Sequence, residues 1–125
     1  MRIDRIDHLV LTVADLDRTV GFYTQVLGLT AETFGDGRTA LRFGRQKINL
    51  HVAGAEFEPK AAHPGTGTAD FCLITETSLD EVQDQLAAHG VPIEIGPVTK
   101  QGALGPMRSV YVRDPDQNLV EIAVY

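Results

Sequence analysis

The chain of 125 residues contains no tryptophan, one cysteine, two methionines and few aromatics, with Phe, Tyr and Trp together at 6%. A lone Cys72 cannot close an intrachain disulfide, so this is not a cross-linked secreted scaffold, and a reducing cytoplasm is the expected compartment. Positive charge is also scarce. Eleven Lys and Arg stand against seventeen Asp and Glu, a net charge of −6 with a pI near 5.0, and the cations are scattered. Nucleic acid and anionic membrane are therefore not expected partners, since both require a basic patch to neutralise phosphate. Long apolar runs are missing too. The opening "MRIDRIDHLVLTV" holds only about five consecutive apolar residues, too few for a signal or membrane-spanning segment.

What is present is a repeat. "HLVLTVADLDRTVGFYTQVLGL" (His8 to Leu29) and "DFCLITETSLDEVQDQLAAHGV" (Asp70 to Val91) share one grammar: apolar strand, acidic helix start, amphipathic helix, glycine stop. In the first copy Asp15 is placed to cap a helix whose stripe is Leu16, Val20, Tyr23 and Leu27, ending at Gly28. In the second, Ser78 caps with Glu81 at capping-box spacing, Leu79, Val82 and Leu86 form the stripe, and Gly90 ends it. Each helix is followed by three strand-like runs: Thr30–Thr33, Arg38–Phe43 and Lys47–Val52, then Ile93–Val98, Met107–Arg113 and Leu119–Val124. The second copy carries extra residues read as loop, chiefly "TKQGALGP" and the "DPDQN" turn.

The expected fold class is α+β: one domain over 1–125 built of two tandem βαβββ modules, 1–52 and 70–125, joined by a connector at 53–69 and forming a cleft-lining mixed sheet. Alternation along the strands then sorts side chains by face. Leu9, Leu11 and Val13 suit the helix side, sending His8, Val10 and Thr12 to the cleft. Ile48, Leu50 and Val52 leave Asn49 and His51 to the cleft; Phe71 and Leu73 leave Asp70, Cys72 and Ile74; Val120, Ile122 and Val124 leave Glu121, Ala123 and Tyr125. Glu121 interrupts an otherwise β-branched apolar strand, and pairing with Arg108 or Arg113 is the structural explanation that needs no function.

His nitrogens and carboxylate oxygens converging on one surface are the donor set of a divalent metal used as a Lewis acid. His8 and Glu121, with one or two of His51, Asp70 and Asn49, would supply it. Ni, Mn, Fe, Zn and Mg are all admissible in such an N/O site. Four protein ligands leave two open octahedral positions, whereas His8, His51 and Glu121 alone leave three.

The stretches "IDHLVLTVADLDRTVGFYTQVLGL", "LRFGRQKINLH" and "RSVYVRDPDQNLVEI" resemble the vicinal oxygen chelate superfamily, which includes glyoxalase I, extradiol dioxygenases and bleomycin-binding proteins. Within it the chain looks most like small virulence-associated glyoxalase-domain proteins, through "KINLHVAGAEFEPKAAHPGTGTADFCLIT". The resemblance implies metal ligands at His8, at Asp70 where His is commoner, at Glu121, and at Asn49 or His51. It also implies a homodimer and a Gly at the place of Gln117, a residue less tolerant of positive φ.

Two functions follow. One is a metal-dependent enzyme, glyoxalase-like lyase or dioxygenase-like oxidoreductase, chelating vicinal oxygens of a small substrate with Glu121 doubling as base. The other is a metal-free protein that sequesters an aromatic or cationic molecule against Glu121, Asp70, Tyr111 and Tyr125. Asn49, Cys72, Tyr111 and Tyr125 are the expected lining of the substrate cleft in either case.

Overall fold

The computed structural model describes every residue from Met1 to Tyr125. The chain divides into two compact units, Met1–Gly67 and Thr68–Tyr125. Unit 1 contains β1 (His8–Val13), α1 (Leu16–Gly21), a π-helical turn running on from it (Phe22–Val26), β2 (Thr30–Phe34), β3 (Arg38–Phe43) and β4 (Gln46–Val52). Unit 2 repeats the order as β5 (Asp70–Ile74), α2 (Leu79–Ala88), β6 (Ile95–Gly102), β7 (Gly105–Arg113) and β8 (Leu119–Val124). These are the two tandem βαβββ modules. No helix is long and apolar enough to cross a membrane.

Each module folds its first strand back against its last. The sheet orders are β1-β4-β3-β2 and β5-β8-β7-β6, with β1/β4 and β5/β8 parallel and the remaining pairs antiparallel. The helix between the first two strands is the crossover that a parallel pairing requires. It starts where the sequence places a cap. Asp15, in extended backbone, accepts from the Arg18 N–H at 3.0 Å, and Ser78 accepts from the Glu81 N–H at 3.3 Å. At the other end of α2 the Val91 N–H reaches back to the Leu86 carbonyl at 2.9 Å while Gly90 sits at φ 67, the left-handed stop that spares a side chain its steric penalty.

Packing follows the alternation. Leu11, Val13, Leu41, Ile48 and Leu50 in unit 1, and Val110, Val112, Val120 and Ile122 in unit 2, are buried on the face that the helix covers, with Tyr23, Val82 and Leu86 buried from the helices. Tyr23 lies in the π-helical turn, and its carbonyl accepts from the Leu29 N–H at 2.9 Å, so the first helix departs from the uninterrupted α-helix that its stripe suggests.

Strand β6 is the larger departure. The stretch read as added loop is a hairpin arm: β6 pairs with β7 out to Gly102↔Gly105, turning on Ala103 and Leu104 alone. Its residues Thr99, Lys100 and Gln101 are all exposed, so the arm lacks the apolar alternation by which strands are recognised. The tip is tied down by Tyr125, whose hydroxyl accepts from the Leu104 N–H at 3.0 Å and fills the space that a Cβ on Gly102 would need.

The "DPDQN" turn positions the start of β8. Buried Asp114 accepts from the N–H groups of Asp116 and Asn118, both at 2.9 Å, and from the Asn118 side-chain amide at 2.8 Å. Asn118 in turn accepts from the Ala69 N–H at 2.9 Å, fixing the entry to β5 beside it. Gln117 is the one non-glycine residue with positive φ, at 69°.

Candidate functional site

The face of each sheet away from its helix carries the polar side chains, and strand register sets which of them are neighbours. On unit 2, Glu121 lies between Cys72 on β5 and Tyr111 on β7, directly opposite both. Asp70 is one step diagonal, opposite Leu119, and Ser109 is one step the other way, opposite Ala123. On unit 1 the equivalent centre is Asn49, between Val10 on β1 and Ala40 on β3. Asn49 and Glu121 thus hold the same place in the two modules. They also share a defect: Asn49 Oδ1 and Glu121 Oε1 are both buried with no hydrogen-bond partner. An unpaired buried acceptor costs about 1–3 kcal/mol; the hydroxyls of Thr19 and Ser109 are likewise buried without a partner.

Neither candidate arginine takes Glu121. Arg113 is bonded to Glu94, Nη2 at 3.0 Å and Nε at 3.1 Å, and Arg108 donates to the Thr99 hydroxyl at 3.3 Å. The carboxylate instead acts on its cross-strand neighbours. Burial, reinforced by Glu121, pushes the Cys72 thiol from the ordinary 9.0 to about 11, although part of the residue remains exposed. The same two causes push Tyr111 from 10.0 to about 12. Both groups are therefore proton-bearing donors near neutral pH.

The metal expectation fails here. No three His, Cys, Asp or Glu side chains come close enough together to hold an ion. The reason is distance along the strands, which parity does not report. His8 lies opposite Lys47, four residues before His51, or about 13 Å at strand rise. His8 bonds Asp7 through Nδ1 at 2.8 Å, and His51 is buried with its ring edge-on to Phe57 at 5.5 Å. The set His8, His51, Asp70 and Glu121 is thus not assembled, the divalent cofactor is withdrawn, and with it the metal-dependent enzyme in which Glu121 is a displaced ligand and base.

Of the other expected lining residues, Cys72 and Tyr111 flank Glu121 and Asn49 is the counterpart centre, whereas the Tyr125 hydroxyl is engaged at the hairpin tip. Sequence reasoning missed Ser109, fully buried with its hydroxyl unpaired on the face of Tyr111 and Glu121. Alternation with Val110 and Val112 was the signal available for it. It also missed Phe57 in the connector, which takes the Arg38 guanidinium over its ring at 4.4 Å as well as the edge of His51.

Comparison with known proteins agrees with this frame. The chain is 54% identical over its whole length to virulence protein STM3117 of Salmonella typhimurium, covering 87% of that protein, and 49% identical to the glyoxalase domain-containing protein RDO1 of Mycosarcoma maydis, covering 70% of it. The crystal structure of STM3117 superposes with a TM-score of 0.98, covering 100% of this chain and 99% of that one. The integron cassette protein VCH_CASS1, from the mobile metagenome of V. cholerae, does so equally at 53% identity, covering 100% and 98%. Residues 5–122 match the family described as the Glyoxalase/Bleomycin resistance protein/Dioxygenase superfamily. With that match over nearly its full length, the chain belongs to this superfamily.

Proposed function

We propose that the protein binds and sequesters a small organic cation on the helix-free face of module 2, with Glu121 as its anchor. The observation that carries this reading is the buried, unpaired Oε1 of Glu121. A carboxylate oxygen removed from water is best satisfied by a charged donor, because charge-assisted hydrogen bonds are about twice as strong as neutral ones. Cys72 and Tyr111 stay protonated and hydrogen-bond to Glu121, holding the carboxylate in place between them. Ser109 and Ala123 beside Glu121 are fully buried, and the margins of the face carry exposed apolar side chains, Ile74 at 54% and Ile95, opposite Tyr111, at 50%. A protonated amine on an aromatic body matches that mixture, with the Tyr111 ring available for cation–π contact.

The test is calorimetry on protein kept in chelator, comparing tryptamine with indole-3-propionate, which has a similar body and the opposite charge. Tryptamine binds, and Glu121→Gln weakens it tenfold or more. Equal affinity for the two ligands, or unchanged tryptamine affinity in the variant, would overturn the assignment. The expected homodimer belongs with this proposal, supported by exposed Ile3, Ile6 and Val10. Light scattering that finds only the 13.6 kDa species at high concentration excludes it.

A further inference from the structure

The polar arm of β6 sends one charge back towards the Glu121 row. Lys100 stands opposite Met107 on β7, on the face that carries Ser109 and Tyr111, and four residues separate its row from that of Tyr111, about 13 Å at strand rise. Its side chain lies along this face, since Nζ is 5.7 Å from the centre of the Tyr111 ring. That is within the roughly 6 Å over which a ring attracts a cation. The remaining charges on the face are Asp70, Glu121 and the pair of Arg113 with Glu94 at 3.0 Å, while Arg108 is opposite Thr99 on the helix side. No carboxylate holds Lys100 in a salt bridge. Tyr111 is therefore bracketed by charge: its hydroxyl bonds Glu121, and its ring faces the Lys100 ammonium.

We infer that the ligand of this face is a zwitterion, an aromatic α-amino acid or a close analogue, with its ammonium on Glu121 and its carboxylate on Lys100. The inference rests on the amine reading above and adds the second charge. A simple cation meets Lys100 as a like charge beside the ring it needs, and a simple anion meets Glu121 and Asp70. A molecule carrying both charges on one carbon suits both ends. Each hydrogen bond adds about 3 Å to the ligand's own charge separation, enough to reach across one phenol ring. The lysine ammonium is a compact charge on a flexible stem, free to leave the ring for a carboxylate. The approach is open: Lys100 and Ile95 are exposed, and Glu121 is only part-buried as a residue.

The test is calorimetry on the full-length protein in chelator, with L-tryptophan, tryptamine and L-tryptophanol, in which a hydroxymethyl group replaces the carboxylate. Because Lys100 is exposed, the gain from its ion pair is modest: tryptophan binds about fivefold more tightly than tryptophanol at low salt, and the advantage shrinks as salt is added. Lys100→Met brings tryptophan down to the tryptophanol value and leaves tryptophanol and tryptamine no weaker, whereas Lys100→Arg keeps the preference. Equal affinity for tryptophan and tryptophanol, or a preference that survives in Lys100→Met, overturns the zwitterion and leaves the Glu121 anchor standing. Absence of binding by all three ligands sinks both.

Discussion

The thiol of Cys72 provides a quantitative probe of the Glu121 environment, because its proton affinity reports both burial and the carboxylate. A value raised from 9.0 to about 11 leaves about a hundredfold fewer thiolates at any pH below 9. Only the thiolate is alkylated, so iodoacetamide at pH 8 should modify native Cys72 about a hundredfold more slowly than the same residue in urea-unfolded protein. Glu121→Gln removes the charge and keeps the packing. Burial is the larger cause and the carboxylate the smaller, so the variant should recover several-fold in rate, less than about tenfold. Since Cys72 is the only cysteine and is reachable from solvent, mass spectrometry of the intact protein follows a single event. Native Cys72 reacting at the unfolded rate would refute the desolvated thiol. An unchanged rate in Glu121→Gln would show that the carboxylate does not face it.

Replacing Gln117, exposed and held at φ 69, by Gly relieves a left-handed penalty of about 1–2 kcal/mol and adds about 0.5–1 kcal/mol of unfolded-state entropy; urea denaturation should show a net gain of about 0.5–1 kcal/mol, and a loss would refute it. Asp114→Ala removes a buried acceptor of three hydrogen bonds and should cost about 3 kcal/mol, with a cost below about 1 kcal/mol contradicting the turn network. Glu121→Met removes the acceptor shared by Cys72 and Tyr111 and should abolish tryptamine binding in calorimetry; unchanged affinity would refute the anchoring role. Because the folded state holds the Cys72 and Tyr111 protons more tightly than the unfolded chain, the stability they contribute is complete below pH 9 and is lost as pH rises from 9 towards 12. Alkaline melts should therefore fall over that window, and less steeply in Glu121→Gln.

The two modules were legible because strand, cap, helix and glycine stop recur in the same order, each local choice agreeing with the next. Faces were legible for the same reason: burial of Ile48, Leu50, Val120 and Ile122 fixes Asn49 and Glu121 on the opposite side. Position along a strand was not. Parity sets His8 and His51 on one face and is silent about the four residues between their rows, and this is how a face of ligand-type side chains was mistaken for a metal site. Alignment of the two modules sets Asn49 against Glu121, with His51 the alternative two residues on. Strand register gives Asn49 and Glu121 equivalent places, whereas the Phe57 that packs against His51 lies in an irregular connector with no period to read. The outer arm of β6, beyond the strand read to Val98, escaped notice because it is polar on both faces.

The parallel closure of each sheet also orders events during synthesis. β1 and β5 pair only with the final strand of their own module, β4 and β8, so neither sheet is complete until that last strand has emerged. Module 1 acquires its full complement at Val52 and can collapse while the rest is still being translated. Module 2 must wait for Leu119–Val124, the strand inserted between β5 and β7. Until then those two strands have open edges facing each other, and Asp70, Cys72 and Tyr111 have no shared neighbour. The residue proposed to anchor the ligand is thus carried by the strand that closes its sheet.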